Sequence, residues 1–339
     1  MTKQLIAEIE NPNWVRKFVW SNDSSLVAFQ SGETIHIHAR ANPTQPGIKV
    51  ALEGSWSFRF HPQDNRLFVG RGNGLIEIIC AQTGNSLGQI ATRVKHKTVK
   101  QMEFNASGTS MVVSFLSSNT IQLWDIADTP FLESEIEAGF EVVRMFFAPN
   151  GDDLYLLKLG DAELWSVRPT KPQSLKLVKK AKSLFTSQPL LRADWLDDCA
   201  LHDSQLLRVY KQHTGSVDVW KGLSGAHYQN FICPDFSVSK WLAFVVCLLI
   251  GSGPKFIYTE TEARLSRDGE NLFIVANQQM SVWNISTTRM LRSFPFDAEY
   301  FEISPSKREI AVVTSEPAAV SIWDIGDLDA SDGTQTLSA

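Results

Sequence analysis

The chain has 339 residues, of which 43% are hydrophobic and 10% aromatic, so it can bury a substantial core. Its formal net charge is −5 at pH 7, which excludes a global basic field of the kind that draws proteins onto nucleic acid. The four cysteines are scattered without CxxC spacing, and this favours free thiols in a reducing compartment over a disulfide framework. Nucleic acid is therefore not expected as a direct ligand.

The N-terminal segment MTKQLIAEIENPNW carries charges within its apolar stretch and lacks the continuous apolar region of a signal peptide. The most apolar run is WLAFVVCLLIG at 241–251, about half of the roughly 20 residues that a membrane helix needs. This run is interpreted as a buried strand, with a membrane or partner contact as the alternative. The sequence predicts a cytoplasmic protein, or a nuclear one, without membrane association.

Seven short alternating segments end at corresponding places along the chain, and five of the seven end in tryptophan. In chain order they are IHIH (35–38), IEII (76–79), IQLW (121–124), AELW (162–165), VDVW (217–220), MSVW (280–283) and VSIW (320–323). Successive segments are separated by 41, 45, 41, 55, 63 and 40 residues. A period near 40 with this ending is typical of a β-propeller, in which each repeat forms one sheet.

The fourth repeat shows the expected order of strands most clearly. Its predicted strands, from the innermost to the outermost, are VVRMFF (142–147), DLYLLKL (153–159), AELWSV (162–167) and LKLV (175–178). The turn at 149–152 reads Pro-Asn-Gly-Asp, in which proline presets φ and Asn-Gly tolerates positive φ. The long apolar second strand is what a strand buried on both faces requires.

The later repeats are less regular. The fifth has predicted strands LLRADW (190–195), LLRVYK (206–211) and SVDVW (216–220), and residues 234–259 are predicted to form an insertion before the sixth repeat. The seventh repeat ends after its third strand. KQLIAEI (3–9) is predicted to supply the missing fourth strand, which protects the exposed edges of an open array. The polar tail at 327–339 is predicted to be disordered.

These repeats resemble those of the WD-repeat family. Three tryptophans stand in the motifs WDI (Trp124), WNI (Trp283) and WDI (Trp323), and ARLSRDGENLFIVA (263–276) matches the family's order of strand, polar turn and strand. The resemblance spans about residues 14–326. It implies an all-β fold: a seven-bladed β-propeller of four-stranded antiparallel sheets, closed by the N-terminal strand pairing into the last blade. In a single domain of residues 1–326, the blades are expected at 14–52, 53–92, 96–137, 140–178, 184–233, 260–294 and 297–325 with 3–9.

The family's buried hydrogen-bond chain of histidine, serine or threonine, aspartate and tryptophan is incomplete in this chain. The third repeat offers His96, Ser114 and Trp124, but no aspartate stands in the required place. His38 replaces the tryptophan of the first repeat. We therefore expect apolar packing, rather than this network, to hold most of the sheets together.

Basic residues cluster where the outer strand of one repeat leads into the inner strand of the next. In a propeller these links, and the turns between second and third strands, open on one rim. The candidate partner-binding rim consists of Arg71, Arg93, Lys95, Lys97, Lys179, Lys180, Lys182 and Lys211. This set predicts a broken basic surface for an acidic segment of a protein partner, with ordinary solvated loop charges as the alternative.

The resemblance implies a non-catalytic interaction scaffold or adaptor, binding partners through rim loops as a monomer within a larger hetero-complex. A second contact site is predicted in or beside the insertion, because aromatic side chains often anchor interfaces. Its candidate residues are Tyr228, Phe231, Phe236 and Trp241. The alternative is that these aromatics only cover the edges of sheets.

No catalytic residue, cofactor site or metal site is expected. The G-x-S-x-G motif at 84–88 is predicted to lie in a turn between strands, not in the strand-to-helix turn of a hydrolase. His36 and His38 lack further ligands at metal-binding spacing.

Two other classes of function stay open. One is an enzyme of the propeller lactonase, lyase or cyclase type, with a polar site in the central channel. Its candidate residues on the inner strands are Arg16, Arg59, Lys100, Arg144 and Glu302. The other is a subunit of an RNA-handling or translation complex, which rests on fold analogy and on the basic links.

Overall fold

The computed structural model describes residues 2–8, 15–42, 46–52, 54, 57–94, 97–148, 153–157, 162–167, 175–181, 196–202, 205–211, 216–221, 226–232, 262–276, 278–296, 298, 300–315, 318–326 and 328. This part of the chain consists of β-strands and the turns that join them. It contains no helix long and apolar enough to cross a membrane. The predicted insertion at 234–259 and nearly all of the predicted tail lie outside the described residues.

The strands form seven four-stranded antiparallel sheets, which we number in chain order. Sheet 1 contains β2 (Val15–Trp20), β3 (Leu26–Ser31), β4 (Thr34–Ala39) and β5 (Ile48–Ala51). Sheet 2 contains β6 (Ser57–Phe60), β7 (Arg66–Gly70), β8 (Leu75–Cys80) and β9 (Ser86–Ala91). Sheet 3 contains β10 (Val99–Phe104), β11 (Ser110–Phe115), β12 (Thr120–Asp125) and β13 (Phe131–Glu137). Sheet 4 contains β14 (Arg144–Phe147), β15 (Asp153–Leu157), β16 (Ala162–Val167) and β17 (Leu175–Ala181).

The remaining three sheets follow the same order of strands. Sheet 5 contains β18 (Leu196–His202), β19 (Gln205–Lys211), β20 (Ser216–Lys221) and β21 (Ala226–Ile232). Sheet 6 contains β22 (Glu262–Leu265), β23 (Asn271–Ala276), β24 (Gln279–Asn284) and β25 (Met290–Pro295). Sheet 7 contains β26 (Tyr300–Ile303), β27 (Glu309–Ser315), β28 (Ala318–Asp324) and, from the other end of the chain, β1 (Thr2–Glu8).

The N-terminal strand completes the last sheet. β1 pairs antiparallel with β28, with Thr2 opposite Asp324 and Glu8 opposite Ala319. These bounds agree to within one residue with the segment predicted at 3–9. Without β1, the backbone groups on one side of β28 would form an unpaired edge.

The fifth sheet differs from the prediction at its first strand, and its fourth strand contains a residue that was predicted to contact a partner. β18 follows directly after the predicted strand at 190–195, which lies outside the described residues. β21 extends to Ile232, and Phe231 on this strand is buried with an exposed fraction of 2%. The Phe231 ring packs edge-on against Trp283 of sheet 6, with the centroids 5.7 Å apart. The prediction of Phe231 as a partner contact is therefore corrected: it is a core residue between two sheets.

Each of the six core clusters in the described part of the chain is shared by two neighbouring sheets. One joins Ile37 of sheet 1 to Phe58 of sheet 2, and another joins Phe29 of sheet 1 to Val313 of sheet 7. The others join sheets 2 and 3, 3 and 4, 5 and 6, and 6 and 7. The first strands also contact one another, β2 with β6 and β26, β10 with β6 and β14, and β18 with β22. We call the first strand of each sheet its inner strand and the fourth its outer strand.

Three of the tryptophans near the ends of third strands form hydrogen bonds within their own strands. In each case the indole Nε1–H donates to a side chain two residues earlier, which lies on the same face of the strand. The pairs are Trp124 with Gln122 (3.1 Å), Trp283 with Ser281 (2.9 Å) and Trp323 with Ser321 (2.9 Å). In these three strands a contact within the strand therefore engages the indole N–H, which the network implied by the family resemblance would otherwise use.

Ser114, a candidate member of that network, gives a test of this difference. Its hydroxyl is buried and has no hydrogen-bond partner in the described part of the chain. We expect Ser114→Ala to leave the free energy of unfolding unchanged or to raise it by up to about 1 kcal/mol, because an unpaired buried hydroxyl is destabilising. Gln122→Ala, which leaves the indole N–H of Trp124 without its acceptor, should lower it by about 1–3 kcal/mol. Urea unfolding measures the free energy of unfolding of both variants. Equal losses would contradict the assignment of Gln122, and not Ser114, as a hydrogen-bond partner that stabilises the sheet.

Candidate functional site

Polar side chains from the inner strands of six sheets lie close to one another. Alternation along each strand separates them from the core: on β6, Phe58 and Phe60 are buried while Arg59 between them lies on the opposite face. We call this set the inner-strand cluster. It consists of Lys17, Arg59, Gln101, Glu103, Arg144, Glu262, Arg264, Tyr300 and Glu302.

One half of the cluster joins sheets 2, 3 and 4. The guanidinium Nη2 of Arg59 donates to Oε2 of Glu103 at 2.6 Å. Nε2 of Gln101 lies 3.2 Å from Oε1 of Glu103 and 3.2 Å from the backbone oxygen of Met145. Both oxygens of this largely buried carboxylate are therefore occupied, which is what burial of a charge requires.

The other half joins sheets 6 and 7. Nη2 of Arg264 lies 2.6 Å from Oε1 of Glu262, and its guanidinium carbon lies 5.4 Å from the centre of the Tyr300 ring. The hydroxyl of Tyr300 donates to Oε2 of Glu302 at 3.4 Å. Burial, and then the Glu302 carboxylate, raise the pKa of Tyr300 well above its ordinary value. The phenol therefore stays protonated and acts as a donor.

Lys17 lies between these halves and has no ion-pair partner among the described side chains. Its Nζ lies 5.4 Å from the centre of the Phe58 ring. Burial and then the neighbouring Arg59 charge, with Arg144 adding to it, lower the pKa of Lys17 to about 8, although Glu103 acts in the opposite direction. A lysine in this environment carries a destabilised positive charge at pH 7.

The structure brings together three of the five inner-strand residues predicted from the sequence: Arg59, Arg144 and Glu302. Lys100 instead forms an ion pair with Glu141, 2.9 Å from Nζ to Oε1, at the link between sheets 3 and 4. The side chain of Arg16 lies outside the described part of the chain.

Sequence reasoning missed the other members of the cluster. On β10, Gln101 and Glu103 flank the buried Met102, and this alternation was a usable signal. For Lys17 there was no such signal, because the register between β2 and β3 shifts between Val15 and Phe18. A β-bulge of this kind changes which side chain a strand presents to each face.

The predicted basic rim is only partly described. Arg71 is largely buried: its Nε lies 3.1 Å from Oε2 of Glu77, and Nη1 donates to the backbone oxygen of Ala51 at 2.7 Å. Arg93 is exposed and Lys97 is half-buried. Of the three rim side chains that are described, Arg93 therefore presents its cation to solvent most openly, while the charge of Arg71 is engaged within the protein.

The remaining candidate contacts are described at most by their backbones. Lys179 and Lys180 lie on β17, with Lys180 opposite Glu163, and Lys211 ends β19. Tyr228 lies on β21, the outer strand of sheet 5. Their side chains lie outside the described part of the structure, as do the whole residues Lys95, Lys182, Phe236 and Trp241.

Two exposed apolar residues flank a junction between a loop of sheet 3 and the link from sheet 3 to sheet 4. Leu116 follows β11 and is 42% exposed, and Val143 precedes β14 and is 44% exposed. The Glu141 carboxylate ties their loops together, because Oε1 accepts from the Ser117 N–H at 3.2 Å and from Lys100 Nζ at 2.9 Å. We call Leu116, Ser117, Glu141 and Val143 the rim patch.

The described residues contain no group of three or more histidine, cysteine, aspartate or glutamate side chains that could hold a metal ion. In the G-x-S-x-G segment, Gly84 has a φ of 76° and lies in the turn before β9, and Ser86 begins that outer strand. The turn predicted for this segment is therefore present.

No family model matches this chain, and no curated protein matches it. Among solved structures, 1687 chains match. One of them is a chain of the crystal structure of a mitotic checkpoint complex, with 14% identity and a TM-score of 0.63, covering 96% of this chain and 91% of that one. At this identity the likeness shows the fold alone. With the four-stranded antiparallel sheets, it supports an all-β fold of the propeller type.

Proposed function

We propose that the chain is a seven-bladed propeller of the WD-repeat type and serves as a non-catalytic interaction scaffold in a multiprotein complex. Closure into a ring is supported by the pairing of β1 with β28 and by the core cluster shared by sheets 7 and 1. The complex-bound setting is suggested by the similar solved chain, which belongs to a multiprotein assembly. We expect the protein in the cytoplasm or the nucleus.

The observation that carries this proposal is the rim patch. Leu116 and Val143 expose apolar surface on two loops that Glu141 holds together. Ordered loops lose little conformational entropy on binding, so an apolar pair fixed in this way is a favourable contact for a partner. Arg93 lies on the preceding link, where an acidic residue of the same partner would approach it.

The rim patch predicts which substitutions remove partners. In affinity purification from the native cell followed by quantitative mass spectrometry, Leu116→Asp with Val143→Asp should reduce the recovery of partner proteins at least tenfold, about 1.4 kcal/mol or more. Leu87→Asp is the matched control, because Leu87 is 57% exposed but lies on the outer strand of sheet 2. Undiminished recovery with the double variant, or equal loss with the control, would contradict the proposal.

The basic part of the rim is tested separately. Arg93→Glu with Lys97→Glu should slow association with an acidic partner and weaken its salt dependence, because charges at the edge of an interface act mainly on the association rate. The exchange of Lys179, Lys180 and Lys182 for glutamate tests the second basic stretch in the same assay. An unchanged association rate in both variants would refute the basic surface.

A scaffold is favoured over an enzyme by the state of the inner-strand carboxylates. Glu103 and Glu262 each accept from an arginine, and Glu302 accepts from Tyr300. Carboxylates engaged in this way serve as hydrogen-bond acceptors inside the protein, which favours a structural role for them over proton transfer.

A further inference from the structure

We propose that the inner-strand cluster binds a small molecule through an oxyanion, a phosphate or carboxylate group, which Lys17, Arg59 and Arg144 contact directly. This site is distinct from the rim patch. It goes beyond the scaffold function and does not depend on it.

The charges of the cluster favour an anion. Among the described side chains of the cluster, the cations outnumber the carboxylates. The cations are Lys17, Arg59, Arg144 and Arg264, and the carboxylates are Glu103, Glu262 and Glu302. Arg59 and Arg264 are each engaged by one carboxylate, whereas Lys17 has no ion pair among the described residues. The imbalance is therefore centred on Lys17.

Lys17 is a positive charge that its charged neighbours do not balance. Its Nζ lies 5.4 Å from the centre of the Phe58 ring, and the charges of Arg59 and Arg144 act against its ammonium while those of Glu103 and Glu302 act in its favour. A bound oxyanion would supply the missing counter-charge, and a guanidinium can bind carboxylate or phosphate with two parallel hydrogen bonds. Perturbed ionisable groups that converge in this way are typical of binding sites.

Binding to the full chain can be measured directly by titration calorimetry at pH 8 and low salt, with inorganic phosphate and with succinate as probes. We expect at least one probe to bind with millimolar or higher affinity. Binding of phosphate alone would assign the site to phosphate esters, and binding of succinate would assign it to carboxylates. Lys17→Met should weaken binding tenfold or more, while Arg93→Met, which removes an exposed rim cation, should not. No binding of either probe, or equal binding to Lys17→Met, would overturn the proposal.

Proton uptake gives a second readout that does not depend on how well Lys17→Met folds. At pH 8 about half of the Lys17 side chains are neutral, and a bound anion restores the ammonium. The charged groups that face it are Arg59, Glu103, Arg144 and Glu302, and arginine and glutamate ordinarily ionise far from this pH. Wild-type protein should therefore take up about half a proton more per ligand than Lys17→Arg, measured as the dependence of the binding heat on the buffer. Equal uptake by the two proteins would contradict the role of Lys17.

Discussion

Phe68→Ala lowers the free energy of unfolding by about 3–5 kcal/mol, because it leaves a cavity that the packed sheets around it cannot fill. Phe68 lies on β7 with no exposed surface, and its ring centre lies 5.0 Å from that of Phe104 on the next sheet. His61 contacts both rings, with its ring centre 6.1 Å from that of Phe68 and 5.6 Å from that of Phe104. The substitution therefore weakens both sheet 2 and its contact with sheet 3.

Phe131→Ala is the matched control, since it removes the same atoms from a side chain that is 54% exposed on the outer strand of sheet 3. It should change the free energy of unfolding by less than about 0.5 kcal/mol. Urea unfolding followed by intrinsic fluorescence compares the two variants. If the two variants lose free energies of unfolding that agree within about 1 kcal/mol, Phe68 is not packed between two sheets. Substitutions outside the core rarely lower the free energy of unfolding by more than about 1 kcal/mol.

Acidification from pH 7 to pH 4.5 destabilises the protein through His38 by about 2–3 kcal/mol. His38 occupies the place of the repeat tryptophan, stacks on Phe29 with centroids 5.7 Å apart and packs against Gly47, where a Cβ would clash with its ring. Both ring nitrogens are buried without a hydrogen-bond partner in the described part of the chain. Burial, with the neighbouring His36 adding to it, lowers the pKa of His38 to about 4.

Acid lowers the stability because the unfolded chain binds a proton at His38 more readily than the folded protein does. The unfolded chain protonates His38 near pH 6.5, whereas the folded protein resists protonation until about pH 4, so stability falls as the pH drops through this window. His38→Phe keeps the stacked ring and removes the titration. Its free energy of unfolding should therefore fall less than that of the wild type between pH 7 and pH 4.5. An identical pH dependence in the two proteins would mean that His38 is not buried as a neutral ring.

Much of the fold could be predicted because each repeat carries its own local signal. Trp124 and Trp323 lie at the ends of the third strands β12 and β28, where the repeat period puts them. The N-terminal strand could be assigned because the seventh repeat lacked a fourth strand, and β1 pairs with β28 at nearly the expected residues. These features depend on alternation and spacing, which a single sequence displays directly.

The candidate sites were harder to predict because they depend on register and on contacts between sheets. Phe231 resembled an exposed anchor, but it lies on an outer strand and fills the space beside Trp283 of the next sheet. The partner of Arg71 is Glu77, which faces it across the hairpin of β7 and β8. The proximity of Arg59 to Glu103, 44 residues apart in sequence, follows only when sheets 2 and 3 are packed side by side.

The central claim is that the two ends of the chain meet in one sheet, and cross-linking tests it most directly. Thr2→Cys with Asp324→Cys places thiols at paired positions of β1 and β28. Thr2→Cys with Asp125→Cys is the control, because Asp125 ends the corresponding third strand of sheet 3. Treatment with a short thiol-specific cross-linker, followed by peptide mass spectrometry, should link residue 2 to residue 324 within one chain and leave the control pair unlinked. Absence of the first cross-link, or equal formation of both, would contradict a ring joined by its N-terminal strand.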